Sequence, residues 1–132
     1  MYYFAYASNL NRKQMAERCP EAKAKFSAAL PNYKIIFSGY SRERKGAPAT
    51  IMYSKGDKVL GGVYEITEAA LRKLDRWEDL TAYKQIKVTV WTDGGDPVEA
   101  VTYIRVKEAE EDKPSPQYLA VIQQGYRDWG II

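Results

Sequence analysis

A pair of alternating segments around a glycine-rich turn places the strongest constraint on the fold. Ile86, Val88 and Val90 share one face of a strand that opens at Tyr83. A returning segment keeps the same period of two with Val98, Ala100, Thr102, Ile104 and Val106. The sequence Asp93-Gly94-Gly95-Asp96 between them is typical of a tight turn. This stretch therefore predicts an antiparallel hairpin.

Several further segments favour strands. The aromatic run from residue 2 to 6 predicts a short strand, and residues 33 to 38 alternate with the period of a half-buried one. Residues 49–53 and 59–66 also predict strands, whereas 23–30 fits a strand but leaves a helix open because it is rich in alanine. We predict turns at residues 31–32 and 55–57. Gly61 and Gly62 indicate a bulge or a close approach of another backbone.

Three helices are predicted from their capping residues. Asn11 precedes a short helix over residues 12–18, and Thr67 precedes one from Glu68 to about Glu78. Ser115 followed by proline is a favoured start for the last helix. The charged stretches at residues 41–46 and 107–113 are interpreted as solvated loops. Together these elements predict an α+β fold with a compact, mostly antiparallel, β-barrel-like core and a few short helices.

Length and composition limit the possible functions. The 132 residues fit one domain, residues 1–132, with a core large enough to need no disulfide or structural metal. The net charge of +3 is too small for a typical nucleic-acid-binding surface. No apolar stretch approaches the length of a membrane span, and no signal-peptide pattern is present, so we expect a soluble cytoplasmic protein without membrane contacts.

The absence of histidine and the presence of a single cysteine exclude several chemistries. The chain has no His, and Cys19 is its only Cys. A Ser-His-Asp triad, a Cys-His pair and a His-containing metal site are therefore impossible. An enzyme built from this sequence would have to move protons with Asp, Glu, Lys or Tyr.

The segment Phe4-Ala5-Tyr6-Ala7-Ser8-Asn9-Leu10 combines the end of a strand, a polar turn and the approach to a helix. This order brings several backbone N–H groups close together, as in sites for anions or oxyanions. A plain connection between a strand and a helix remains the alternative.

Three separated blocks resemble the γ-glutamylcyclotransferase-like proteins. The segment Tyr6-Ala7-Ser8-Asn9 is similar to the family motif Tyr-Gly-Ser-Asn. Gly62-Val63-Tyr64-Glu65-Ile66 followed by Leu74-Asp75-Arg76-Trp77-Glu78 is similar to the strand and helix before the family's catalytic glutamate. Pro114-Ser115-Pro116-Gln117-Tyr118-Leu119, with residues 125–130, resembles its C-terminal helix.

The resemblance implies a barrel-like enzyme that releases 5-oxoproline from a small γ-glutamyl compound without a cofactor or metal, as a monomer or homodimer. Glu78 would be the catalytic acid and base. The substrate-binding residues would be Tyr6, Ala7, Ser8, Asn9, Leu10, Tyr83 and Tyr118. Asp79 adjoins Glu78, but neighbours in sequence rarely face each other, so we expect no proton shared between them.

The leaving group and the effect of Ala7 stay open at this stage. Ala7 replaces the family glycine, which matters if the backbone has a positive φ there or approaches the substrate closely. The loop from Ser41 to Ala47 is expected to select the leaving group, so changes at Arg42 or Arg44 would shift that preference. A cyclotransferase for γ-glutamylamines or γ-glutamylated natural products, and a binding module without turnover, are the alternatives.

Overall fold

The hairpin around residues 93–96 contributes the last two strands of a closed five-stranded barrel. The computed structural model describes residues 1–78 and 80–132. Its strands are β1 (Tyr2–Ala5), β2 (Lys23–Phe37), β3 (Ala49–Glu65), β4 (Tyr83–Thr92) and β5 (Pro97–Arg105). They are arranged in the order β1-β3-β2-β4-β5. The barrel closes through parallel pairing of β1 with β5, whereas the other neighbours are antiparallel. The predicted α+β, barrel-like fold is confirmed.

Strands β2 and β3 run through both predicted turns. Pro31 and Asn32 lie inside β2, and Gly56 lies inside β3. The pairing shifts between Pro31 and Tyr33, and the Asn32 side chain accepts a hydrogen bond from the Gly56 N–H at 3.1 Å. The predicted turns at residues 31–32 and 55–57 are therefore wrong: the left-handed φ values of Asn32 and Gly56 form a bulge within two continuing strands. Pro31 is tolerated because β4 pairs with β2 only at Ala28 and Ala29.

The helices begin at the predicted caps. They are α1 (Arg12–Arg18), α2 (Glu68–Asp75) and α3 (Pro116–Asp128). The side chains of Asn11, Thr67 and Ser115 each accept a backbone hydrogen bond from the first turn of their helix. The predicted end of α2 is wrong, because the helix stops at Asp75, and Trp77 beyond it is half-exposed. Glu78 therefore follows the helix instead of ending it.

Two apolar clusters hold the barrel and the helices together. One fills the barrel around Phe4, Val63 and Val90, and the other packs the helices around Leu10, Met15 and Leu74 on the outside of β1. A Cβ on Gly61 would lie 2.3 Å from the Ala5 carbonyl oxygen, which explains the glycine by close backbone approach. No helix of the described residues is long and apolar enough to span a membrane.

The turn after β1 is fixed by contacts from distant parts of the chain. The Trp129 Nε1–H donates to the Leu10 carbonyl oxygen at 2.8 Å, and the Tyr64 hydroxyl donates to the Asn9 carbonyl oxygen at 2.8 Å. Asn11 also donates through Nδ2 to the Val121 carbonyl oxygen at 3.2 Å. β3 and α3 thus set the position of a turn that lies at the edge of the main cavity.

Candidate active site

A cavity of about 400 Å³ opens between the turn after β1, the segment after α2 and the loop between β2 and β3. Its walls include Glu78 together with most of the residues predicted to bind substrate: Tyr6, Ala7, Ser8, Asn9, Tyr83 and Tyr118. These residues are separated by up to 112 positions in the sequence but share one space. The cavity is therefore the candidate active site.

Leu10 is the predicted substrate-binding residue that does not line this cavity. Its side chain is fully buried in the cluster outside β1, and its N–H donates to the Ala7 carbonyl oxygen at 3.1 Å. Leu10 thus anchors the turn from behind.

The backbone of the turn leaves donors at the cavity wall. Among the described residues, the N–H groups of Ala7, Ser8 and Asn9 donate to no acceptor, although all three residues line the cavity. Unpaired amides in a fixed turn are suited to bind an anionic oxygen. Ala7 has a φ of −132°, so this position does not need the left-handed conformation that would favour glycine.

Two arginines hold the polar side chains of the turn. Arg44 Nη2 donates to Ser8 Oγ at 3.3 Å, and Arg18 Nη1 donates to Asn9 Oδ1 at 3.2 Å. Gln14 Nε2 donates to both of these side chains, at 2.9 Å and 3.0 Å. Arg44 therefore lies beside the turn predicted to bind the glutamyl half, whereas Arg42 of the same loop lines the cavity at an exposed position.

Glu78 presents an unpaired carboxylate to the cavity. Its N–H donates to the Asp75 carbonyl oxygen at 3.2 Å, which fixes the backbone just after α2. Within residues 1–78 and 80–132, its side chain makes no hydrogen bond or ion pair. Burial raises the pKa of the Glu78 carboxyl above its usual range, and the nearby Arg18 and Arg44 oppose that rise. A buried acid with a raised pKa is suited to proton transfer. Asp79, expected to share no proton with it, lies outside the described residues.

The two predicted tyrosines meet at Ala49. The Tyr83 hydroxyl donates to the Ala49 carbonyl oxygen at 3.1 Å, whereas the Tyr118 hydroxyl accepts from the Ala49 N–H at 3.1 Å. Because Tyr118 only accepts in this contact, its own proton remains available to a ligand in the cavity. Burial raises the pKa of Tyr83 to about 12, so this phenol is neutral at pH 7.

Tyr6 has a structural hydroxyl. It donates to the Tyr103 carbonyl oxygen at 2.7 Å and thereby ties the end of β1 to β5. The Tyr6 side chain still forms part of the cavity wall.

The sequence did not point to Tyr3, Arg18, Tyr103 and Arg105 as lining residues. The Tyr3 hydroxyl accepts from Asn9 Nδ2 at 3.0 Å, and the Tyr103 hydroxyl donates to Asp75. One signal was available for Arg18: it lies four positions after Gln14, so both side chains leave the same face of α1. The others depend on how the barrel closes.

The donor set of the described residues does not favour a metal. No group of three or more His, Cys, Asp or Glu side chains in that part of the chain is arranged to hold an ion. Half of the residues that line the cavity are tyrosine or arginine, whereas divalent cations are bound by several carboxylate or carbonyl oxygens.

The fold and the cavity define a small barrel with a buried carboxylate beside a donor-rich turn. Residues 58–131 match the model of the AIG2-like family. The chain is 35% identical to a γ-glutamylcyclotransferase of Bos taurus and 33% identical to that of Homo sapiens, in each case over 98% of this chain and 71% of the relative. A solved structure of a γ-glutamyl cyclotransferase superposes with a TM-score of 0.95 at 32% identity, covering 99% of this chain and 80% of the other.

The chain therefore belongs to the AIG2-like family, with γ-glutamylcyclotransferases among its relatives. The family resemblance inferred from the three sequence blocks is confirmed.

Proposed function

We propose that residues 1–132 form a single-domain γ-glutamylcyclotransferase-type enzyme that releases 5-oxoproline and a free amine or amino acid from a γ-glutamyl compound. The observation that supports this most strongly is the position of Glu78, an unpaired and half-buried carboxylate facing the turn from Tyr6 to Asn9 across one cavity. The similarity to γ-glutamylcyclotransferases over nearly the whole chain supports the same reaction.

The reaction needs no nucleophile from the protein. The α-amine of the substrate attacks its own γ-carbonyl carbon and forms the C–N bond of a five-membered lactam, while the original amide C–N bond breaks. The protein must hold the substrate in the folded conformer in which these atoms meet. Well-oriented intramolecular reactions reach effective molarities of about 10⁵ to 10⁸ M, so this positioning is a large part of the catalysis.

Glu78 transfers the protons. Its carboxylate takes a proton from the α-ammonium, which frees the amine to attack the γ-carbonyl carbon. As the lactam forms, the α-nitrogen loses a second proton, and both protons reach the leaving nitrogen, which departs as an ammonium. The carboxylate is therefore regenerated in each cycle. Transfer by one positioned group contributes roughly 10² to 10⁴-fold. The raised pKa of Glu78 brings it closer to neutral pH, where it serves both as a base and, once protonated, as an acid.

The turn after β1 binds the anionic oxygens of the glutamyl half. The N–H groups of Ala7, Ser8 and Asn9 are the unpaired donors of this wall among the described residues. Arg44 adds positive charge between Ser8 and the ring of Tyr118, over which its guanidinium carbon lies at 4.9 Å from the centroid. The free proton of Tyr118 supplies a further donor. This half of the substrate is the same whatever amine is expelled.

The direct test is release of 5-oxoproline from γ-glutamyl dipeptides and γ-glutamylamines, measured with a chelator present and no nucleotide added. We expect full activity under these conditions, since the mechanism uses only the carboxylate, amide, guanidinium and phenol groups of the protein. No 5-oxoproline from any of these substrates would favour a binding module. Loss of activity in the chelator alone would instead mean that carboxylates such as Glu78 and Asp79 bind a metal.

The acidic limb of the pH–rate profile should lie above the ordinary glutamate pKa of about 4.3. Burial raises the pKa of Glu78, so as the pH falls the base is protonated earlier than an exposed glutamate would be. The measurement is kcat/KM between pH 4 and 8 with a substrate whose own charges do not change at the limb. A limb at or below about 4.3 would mean that Glu78 is not the group that titrates.

A further inference from the structure

The guanidinium of Arg105 is held rigidly at the cavity wall although the proposed mechanism does not use it. Its Nε–H donates to the Lys107 carbonyl oxygen at 3.1 Å, and Nη1 donates to the Ser38 carbonyl oxygen at 3.3 Å. One face of the group packs so closely on Gly39 that a Cβ there would lie 2.6 Å from Nη2. Two backbone carbonyls and a glycine thus fix the orientation of this side chain.

The guanidinium of Arg105 has N–H groups that can still bind a ligand. Within the described residues, Arg105 forms no ion pair, and its further side-chain hydrogen bond is with the Tyr83 hydroxyl. Arg18 and Arg44, the other two partly buried arginines of the cavity, each have a polar side-chain partner. Arg18 pairs with Glu43 at 3.4 Å, and Arg44 donates to Gln14 at 2.8 Å. A guanidinium carries five N–H groups, so two carbonyls and one phenol leave N–H groups of this fixed side chain free to bind a carboxylate.

Arg105 lies at the opposite end of a chain of contacts from the turn after β1. Arg44 joins Ser8 to the ring of Tyr118, and Ala49 joins the hydroxyls of Tyr118 and Tyr83 through its N–H and carbonyl. Arg105 then lies over the Tyr83 ring, with its guanidinium carbon 5.9 Å from the centroid. The cavity therefore carries Arg18 and Arg44 beside the proposed glutamyl site and Arg105 beyond the two tyrosines.

We propose that Arg105 is a specificity-determining residue that binds a carboxylate of the leaving half, so that the preferred leaving group is an amino acid and not a neutral amine. The inference rests on the proposed cyclotransferase reaction. A γ-glutamyl amino acid carries one carboxylate on each side of the scissile amide, which matches cationic groups at both ends of the cavity. Arg105 is engaged before and after bond breaking, so it acts on selection and not on proton transfer.

The test compares two substrates, γ-glutamyl-alanine and γ-glutamyl-alaninamide, which differ only in the leaving half's carboxylate. Wild-type kcat/KM should favour the acid by at least about 10-fold. Arg105→Gln should lower kcat/KM for the acid by about 10- to 100-fold, the range for a lost charged hydrogen bond, and change the amide by less than about threefold. The loss should appear in KM more than in kcat, because the same contact exists in ground state and transition state.

Two further variants separate specific binding from general effects. Arg105→Lys keeps the charge, so it should retain more of the preference for the acid than Arg105→Gln. Lys107→Gln removes a neighbouring exposed charge that does not line the cavity, and it should leave the ratio unchanged. Melting temperatures check that each variant is folded.

Several results would overturn the inference. Equal losses of kcat/KM with both substrates in Arg105→Gln would place Arg105 at the glutamyl half, and wild-type kcat/KM with both substrates would remove it from substrate binding. If Arg105→Gln does not fold, a wild-type ratio near one is sufficient to reject the carboxylate site. Failure of the proposed function looks different, because wild-type protein would then release 5-oxoproline from neither substrate.

Discussion

Glu78→Gln should lower turnover by about 10²- to 10⁴-fold while the protein remains folded. Glutamine keeps the size of the side chain but cannot take the proton of the α-ammonium that must leave before the amine can attack. The folded state should tolerate the change, because the Glu78 carboxylate forms no ion pair among the described residues and its charge is disfavoured by burial. The measurement is kcat for 5-oxoproline release, together with the melting temperature.

The matched control is Glu68→Gln, at an exposed glutamate in the first turn of α2 outside this cavity. It should retain nearly wild-type turnover. If Glu78→Gln keeps most of its activity, another group must carry the proton. If both variants lose activity equally, the loss comes from the helix and not from the carboxylate.

Ala7→Val should lower kcat/KM by about 100-fold for every substrate. Ala7 lines the cavity between Tyr6 and Ser8, so two additional methyl groups would occupy space that the proposed glutamyl half needs. A displacement of about 1 Å in a site that depends on intramolecular geometry is enough for a loss of this size. A left-handed conformation is not the cause, because φ is −132°, but ψ is −124°, outside the β and right-handed helical regions. The melting temperature of Ala7→Val is therefore measured together with kcat/KM, and it should stay close to that of the wild type.

Ala7→Gly is the matched variant. It restores the family glycine, and we expect kcat/KM within a few-fold of wild type, changed by the same factor for γ-glutamyl-alanine and γ-glutamyl-alaninamide. The decisive quantity is the ratio between these two substrates in each variant. A ratio that is reordered by Ala7→Val, with the better substrate untouched, would mean that the turn does not hold the glutamyl half.

Local patterns were sufficient for most of the fold. The alternation of Ile86, Val88 and Val90 and the glycine turn after them specify a hairpin, because side chains on a strand point to opposite faces in turn. The caps Asn11 and Ser115 specify where their helices begin, because a side-chain oxygen can satisfy only the first free N–H groups. These signals depend on residues that lie close together in the sequence, so they can be recognised from a single sequence.

Local patterns failed where two distant segments compensate each other. Residues 31–32 and 55–57 both look like turns, but the Asn32 side chain accepts from the Gly56 N–H, and both strands continue past the paired bulge. The prediction of where α2 ends was wrong for a related reason, a contact with a residue far away in the sequence. Trp77 fits the apolar spacing of the helix, but its ring lies at the surface with the Arg18 guanidinium carbon 5.1 Å from its centroid.

By itself, the sequence determined the chemistry available to this protein and most of its candidate site. The absence of histidine left carboxylates and phenols for proton transfer, and the family motifs pointed to Glu78 and to the turn from Tyr6 to Asn9. The tertiary structure alone decided that Leu10 faces the core, that Arg44 contacts Ser8 and that Arg105 lies beyond Tyr83. Those placements depend on closure of the barrel between β1 and β5 and on contacts between residues far apart in sequence, which no local pattern of residues encodes.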